Sequence, residues 1–264
     1  RIDDAFGVDL YDYSDDPNDW FDIRSYTEGG RYVDVIYVGD KKTTGRAVRE
    51  QALGLRSAAF EIDYGVRVPA LRQLARELVR GDWRGYLEAA RHDTYEETML
   101  QGLVLGCARM EPDELFARLA AFVPHIDNWA VCDVTCGGLR AVGKCREQAA
   151  GFLTPYLSAP REFDVRFGVV MLMDHFIDEA YIDRVLEWLA GVHHEGYYVK
   201  MGVAWALSVC FIKFPRRTAV LLESGRLDEQ TLRMAAQKLL DSNRVGAEVK
   251  AEIRTRRADR KKSQ

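Results

Sequence analysis

The chain has 264 residues, a net charge of −4 and a hydrophobic fraction of 47%, which suits one large globular domain or two ordinary ones. No apolar run is long enough to cross a bilayer, so we expect no membrane partner. The acidic start lacks the basic and apolar regions of a signal peptide, and the sequence therefore predicts a cytoplasmic protein.

The charge is distributed unevenly. Residues 1–40 contain eleven acidic residues and three arginines, a net charge of −8, which leaves +4 for residues 41–264. The segment 244–264 alone carries eight basic and three acidic residues. A mildly basic body with a basic tail permits an anionic partner without requiring one, because solvated helix faces give the same composition.

The N-terminal segment differs from the rest of the chain. It is rich in Asp, Gly and Tyr and contains one β-like run, RYVDVIYVGD, so we interpret residues 26–42 as a hairpin or a lone strand. We divide the chain into an acidic segment 1–45, a helical domain 46–258 and a basic tail 259–264.

From residue 46 onward the pattern is that of amphipathic helices. In VRVPALRQLARELVRG, Pro69 suits a first turn and Gly81 a stop. Further helices are predicted at 83–91, 94–109, 113–122, 127–142, 145–157, 161–176, 178–191, 196–213, 215–224, 228–241 and 244–258. Short connections and successive helix pairs favour a solenoid of antiparallel helix pairs. No strict repeat is visible, and an irregular helical bundle is the alternative.

The cysteines lack a C-x-x-C pair, and they are Cys107, Cys132, Cys136, Cys145 and Cys210. Most lie in apolar helical patterns, so we expect buried free thiols. His125 with three of them could collect zinc, but C-x3-C within one helix is not a usual zinc spacing. We expect neither a metal nor an organic cofactor.

Three predicted helices carry unusual residues. Trp129 and Asp133, in HIDNWAVCDVTCGG, are four residues apart and share one helix face. In REFDVRFGVVMLMDHF the run 167–173 is apolar almost all round and should be buried, and a buried Arg166 before it needs an anion or a cluster of carbonyls. In the third, Trp205 lies among the small residues Gly202, Ala204, Ala206 and Ser208, which let another surface approach.

Each of these residues also has an ordinary structural interpretation. A lone tryptophan at helical spacing is usually part of a core. Asp133 could cap a helix or pair with Arg140 or Lys144, and Asp164 or Asp174 could neutralise Arg166. No glycine-rich phosphate loop, G-x-S-x-G elbow or H-E-x-x-H motif is present to decide the chemistry.

Four segments together resemble the DNA alkylation repair family, the AlkD-like DNA glycosylases built from HEAT-like repeats. They are YGVRVPALRQLARELV, the Trp129-x3-Asp133 pair, FDVRFGVVMLM and YYVKMGVAWALS, in that order, within residues 55–245. The resemblance implies an all-α fold, a curved superhelix of HEAT-like antiparallel helix pairs, here with a short atypical N-terminal segment that can contain β structure.

The resemblance also implies roles for individual residues. Trp129, Asp133 and Trp205 would face the damaged nucleotide as catalytic residues, and Arg166 would bind a backbone phosphate. Further DNA contacts are predicted for Lys200, Arg140 and Lys144. The expected partner is duplex DNA with purines alkylated at N3 or N7, and the expected activity is that of a monofunctional glycosylase. A solenoid of this size can be monomeric, so we expect a monomer.

The sequence departs from the family at two points. The first 45 residues do not look like the usual opening helices, and Ala130 stands where we expect an acidic residue. Two alternatives therefore remain. One is a non-catalytic repeat protein that binds damaged or branched DNA, and the other is a helical scaffold that binds a protein through the tail 244–264.

Overall fold

The computed structural model describes residues 19–28, 31–40, 66–92 and 94–262. The chain divides into two units, Arg1–Arg67 and Val68–Gln264, and each is considered by itself. The helical pattern predicted over residues 46–65 and the boundary predicted at residue 45 lie outside the described residues, so both stay predictions.

The first unit contains a two-stranded antiparallel sheet. Its strands are β1, Asp19–Glu28, and β2, Arg31–Asp40, and Ile23 pairs with Ile36 near the middle of the ladder. β2 is the run RYVDVIYVGD, whose β-branched residues favour a strand. β1 begins at residue 19, seven residues before the segment that the sequence pattern indicated.

The second unit is helical throughout its described residues. Its helices are α1, Val68–Leu78; α2, Trp83–Ala89; α3, Tyr95–Cys107; α4, Pro112–Phe122; α5, Trp129–Gly138; α6, Arg146–Leu153; α7, Glu162–His175; α8, Ile182–Ala190; α9, Tyr197–Lys213; α10, Pro215–Glu223; α11, Glu229–Asp241; and α12, Ala247–Lys262. The all-α prediction is confirmed for this unit.

Two predicted helices are shorter than expected. Those at 127–142 and 145–157 end at Gly138 and Leu153, and 3-10 helices follow them at Arg140–Lys144 and Thr154–Ser158. The pair Gly137-Gly138 has a low helix propensity, and Pro155 suits the first turn of a new segment. Both endings therefore follow from local composition.

The helices of the second unit stack in an alternating order. Each odd-numbered helix from α1 to α11 packs on the next odd-numbered one, while α4 contacts α6 and α8 contacts α10 on the other layer. This order is typical of stacked helix pairs. The HEAT-like nature of the pairs and the curvature of the stack stay predictions.

The odd-numbered layer contains the core. The run from Phe167 to Met173 on α7 is buried, as its apolar pattern predicted. On α9 the small residues near Trp205 are buried as well, so the surface that approaches them belongs to this chain's own neighbouring helices. Gly106 on α3 lies beside Gly138 on α5, where a side-chain carbon on Gly106 would come within 2.9 Å of the Gly138 backbone.

All five cysteines are free, and Cys132, Cys136 and Cys210 are buried, as expected. The prediction is wrong for Cys107, which is exposed because it is the last residue of α3, and Cys145 is only half-buried. Among residues 66–92 and 94–262, no helix is long and apolar enough to cross a membrane. The same residues contain no cluster of three metal-ligating side chains.

Candidate functional site

Helix α5 begins so that Trp129 and Asp133 lie on one face. Its N-cap is Asn128, whose side-chain oxygen accepts a hydrogen bond from the Val131 N–H at 2.9 Å. The cap fixes Trp129 as the first helical residue, and Asp133 follows one turn later. Both side chains are half-buried.

The two tryptophans have different surroundings. Trp205, on α9, is half-buried and packs on the hydrophobic core. Trp129 is also half-buried, but within residues 94–257 it is not one of the side chains that pack on that core. The core interpretation of a lone tryptophan therefore fits Trp205 in part and does not account for Trp129.

Asp133 forms a bidentate ion pair with Arg166 of α7. Arg166 Nε donates to Asp133 Oδ1 at 3.0 Å, and its Nη2 donates to Oδ2 at 2.8 Å. Arg166 is only 4% exposed. Burial acts to lower the pKa of Arg166, but the adjacent carboxylate outweighs it, so the pKa is raised and the guanidinium stays charged.

The rest of the Arg166 guanidinium binds the backbone of α9. Nη1 donates to the Tyr198 carbonyl oxygen at 2.8 Å. One turn earlier on α7, Glu162 accepts the Tyr198 N–H at 2.6 Å, so these two residues hold both backbone groups of Tyr198. Gly196, the N-cap of α9, has no side chain to serve as a cap, and Glu162 supplies that acceptor. Burial raises the pKa of Glu162 despite these N–H donors.

This arrangement differs from the predicted phosphate contact. Arg166 is buried, and its donors are directed at a carboxylate and a carbonyl, so it does not present an open guanidinium to a solvent-side phosphate. The predicted alternatives for its partner were Asp164 and Asp174. Asp164 instead lies 3.3 Å from Arg161, and Asp133 takes the place beside Arg166.

The other predicted DNA contacts lie in two different settings. Lys200 is buried, and its Nζ lies 2.9 Å from Glu195, 3.3 Å from Gln230 and 3.7 Å from Asp228. The hydrogen bond to Glu195 is the main cause that raises its pKa. Arg140 and Lys144 are exposed on the 3-10 helix after α5 and remain open to a partner.

A second carboxylate approaches α5 beyond Asp133. A side-chain carbon on Gly137 would lie 3.6 Å from Oδ2 of Asp174, which places that group one turn along the face of Trp129 and Asp133. Although much of Asp174 is exposed, burial of its carboxylate, followed by the negative charge of Asp133, raises its pKa to about 6. The site thus contains one paired and one perturbed carboxylate.

Lys238 of α11 belongs to the same region, and it was not among the residues predicted from the sequence. Its Nζ lies 6.0 Å from the ring centre of Trp205. Burial lowers the pKa of Lys238, as does repulsion by Arg166, while Asp241 and Asp133 act in the opposite direction. The sequence did contain a signal, because residue 238 continues the i, i+4, i+7 series of the buried Thr231 and Ala235, where an apolar side chain is expected.

The chain matches the model of a known protein family over most of its helical unit. The model described as DNA alkylation repair enzyme matches residues 56–239, which include α1 to α10 and most of α11. The chain belongs to the DNA alkylation repair enzyme family. The resemblance inferred from the four segments is therefore confirmed, and membership supports a role in DNA repair with DNA as the partner.

The matched range of the family model contains the residues of the candidate site: Trp129, Asp133, Arg166, Asp174, Trp205 and Lys238. Comparison with curated proteins gives no match, and comparison with solved structures gives none either. The activity of the site is accordingly argued from its own geometry.

Proposed function

We propose that the chain is a monofunctional DNA glycosylase that hydrolyses the N-glycosidic bond of cationic N3- or N7-alkylated purines in duplex DNA. One observation carries this proposal. The Asp133 carboxylate is held by Arg166 at 2.8 and 3.0 Å, on the helix face that also presents Trp129. An anion fixed in advance and flanked by an aromatic plane suits a reaction that develops positive charge on a sugar.

The substrate supplies much of the reactivity. A purine alkylated at N3 or N7 is already positively charged, so its bond to C1′ is weak. When that bond breaks, its electron pair goes to the purine, which leaves neutral and needs no general acid. The positive charge then lies on the deoxyribose ring, where a nearby carboxylate stabilises it by electrostatic attraction.

Asp133 can both stabilise the positively charged sugar and orient the water molecule that attacks it. Each carboxylate oxygen accepts one hydrogen bond from Arg166 and keeps a further acceptor position. The side chain is 16% exposed, which leaves an approach from solvent. A water molecule oriented by Asp133 adds to C1′ and gives its proton to the carboxylate, which then returns the proton to solvent.

The aromatic residues and Arg166 complete the proposed site. The indoles of Trp129 and Trp205 would pack against the sugar, and each cation–π contact contributes about 0.5–2 kcal/mol. We assign Arg166 to holding the Asp133 carboxylate rather than to a phosphate. The exposed Arg140 and Lys144 would contact the DNA backbone without reading its sequence. The protein would act as a monomer.

The test is release of free 7-methylguanine and 3-methyladenine from methylated duplex DNA. We expect release by the wild type and a loss of at least about 100-fold for Asp133→Asn, because one fixed electrostatic group is removed from the reaction centre. DNA binding should be kept. A matched control is Asp183→Asn, a carboxylate on α8 that is 78% exposed, and it should keep full activity.

The outcomes separate the proposal from its alternative. No release by the wild type would refute the glycosylase, and equal release by wild type and Asp133→Asn would refute the role of the carboxylate. The second candidate is a non-catalytic binder of damaged or branched DNA. It is favoured by the fact that both Asp133 oxygens already accept hydrogen bonds. It predicts salt-sensitive DNA binding that Asp133→Asn leaves unchanged, with no release of methylated bases by the wild type.

A further inference from the structure

Lys238 is a cation that the proposed reaction leaves without a role. It lies on the buried side of α11, and its Nζ is 6.0 Å from the ring centre of Trp205. The charges of Arg166 and Asp133 influence the pKa of Lys238, which places its ammonium near the candidate site, and its side chain is half-buried. Trp205, Asp133 and Lys238 therefore border one region.

Unlike Arg166 and Lys200, the half-buried Lys238 makes no ion pair with a carboxylate of the described residues. Arg166 pairs with Asp133 at 2.8 Å, and Lys200 pairs with Glu195 at 2.9 Å. Within residues 66–92 and 94–257, no carboxylate oxygen lies within 4.0 Å of the Lys238 Nζ. Burial without an ion pair is unfavourable for a cation, and burial together with repulsion by Arg166 lowers the pKa of Lys238.

We propose that Lys238 binds a backbone phosphate of the DNA, beside the sugar that packs on Trp205. This inference rests on the proposed function and gives Lys238 the phosphate contact first predicted for Arg166. A deoxyribose and the phosphates bonded to it are neighbours in the strand. A cation 6.0 Å from the ring centre of the tryptophan is therefore placed to meet one of them.

The charges of the site support a lysine in this role. Arg166 neutralises Asp133, but Asp174 adds a second negative charge close by. Without another cation, this region would repel the phosphates that must approach it. The guanidinium of Arg166 is buried and already donates to Asp133 and Tyr198, whereas the Lys238 ammonium keeps its donors available. A flexible ammonium binds phosphate well as a point charge.

The experiment compares Lys238→Met with Lys238→Arg and with Arg233→Met. Arg233 is a matched control on α11, because its side chain is 59% exposed and lies 3.9 Å from Glu229. The probe is a short duplex with a stable tetrahydrofuran abasic analogue, titrated at several NaCl concentrations by fluorescence anisotropy. The measured quantity is the slope of log K against log salt concentration.

Removing one phosphate contact should lower the magnitude of this slope by about 0.9. We expect that decrease for Lys238→Met, little change for Lys238→Arg and none for Arg233→Met. Lys238→Met should also melt at a higher temperature, because methionine fills the same space without an unpaired buried charge. That second measurement shows that the variant is folded.

The results distinguish this inference from the proposed function. Release of methylated purines by the wild type, with an unchanged slope in Lys238→Met, overturns the phosphate contact alone. A decreased slope without any release overturns the glycosylase and keeps the contact. If the wild type does not bind the duplex, Lys238 has no phosphate to bind and the inference fails.

Discussion

Replacing Arg166 by methionine should cost about 3 kcal/mol of folding free energy. The substitution leaves the Asp133 carboxylate without its partner, and breaking a buried ion pair in this way costs about 3–5 kcal/mol. Asp133 is 16% exposed, so the lower end of that range applies. The Tyr198 carbonyl also loses a donor, although solvent and backbone relaxation compensate part of that loss.

The assay is equilibrium unfolding in urea, with thermal unfolding beside it. For a domain of this size, about 3 kcal/mol corresponds to a decrease in Tm of roughly 6–12 °C. The matched control is Arg226→Met. Arg226 also forms a bidentate ion pair, in which its Nη1 and Nη2 donate to the Glu187 carboxylate at 2.8 and 2.9 Å. The Arg226 and Glu187 side chains, however, are 45% and 68% exposed. The loss of stability should be far smaller than for Arg166→Met, because water screens an exposed ion pair.

A double variant isolates the charge contribution. In Asp133→Asn with Arg166→Met, no charge is left unpaired, so this protein should be more stable than Arg166→Met alone. Equal losses for Arg166→Met and Arg226→Met would refute the reasoning, because burial would then make no difference to the pair. A double variant less stable than Arg166→Met would contradict it as well.

Two further predictions concern the packing and the second carboxylate. Gly106→Ala should destabilise the protein by about 1–3 kcal/mol in urea unfolding, because the new side-chain carbon would lie 2.9 Å from the Gly138 backbone. The control is Gly151→Ala on α6, where the new carbon would have no neighbour within 4 Å, and this variant should be neutral or slightly stabilising. Burial of the carboxylate, and after it the negative charge of Asp133, raises the pKa of Asp174 from 3.8 to about 6. Ionised Asp174 therefore destabilises the folded state above pH 6, and this destabilisation disappears as the pH falls towards 4. Because Asp174 is largely exposed, the effect on the free energy of unfolding should be on the order of 1 kcal/mol. The stability of Asp174→Asn, measured from pH 7 to pH 4, should lack this pH-dependent contribution. An identical pH dependence in the wild type and in Asp174→Asn would contradict the raised pKa of Asp174.

Local sequence patterns were sufficient for most helices of the helical unit. The predicted helices 161–176 and 196–213 correspond to Glu162–His175 and Tyr197–Lys213, and the buried run 167–173 follows directly from its composition. These features depend on residues a few positions apart, where helical periodicity applies. The stacking of alternate helices follows from chain lengths and short connections, which the sequence also shows.

The partners within the site could not be predicted in the same way. Arg166 and Asp133 are 33 residues apart, and nothing in either helix specifies how the two turn towards each other. A buried arginine needs an anion or carbonyl groups, and the structure supplies one of each, Asp133 and the Tyr198 carbonyl. The requirement was correct, while the identity of the anion depended on a tertiary contact.

The need of a buried cation for a counterion also applies to Lys238. A cation in the buried register of an amphipathic helix needs a counterion, and Arg166 meets that need within the protein at 2.8 Å. Lys238 makes no ion pair within the described residues, and its Nζ lies 6.0 Å from the ring centre of Trp205. A phosphate of the bound DNA could serve as the counterion of Lys238. On this reasoning, we propose that Arg166 orients the Asp133 carboxylate before DNA binds, and that a DNA phosphate supplies the counterion of Lys238.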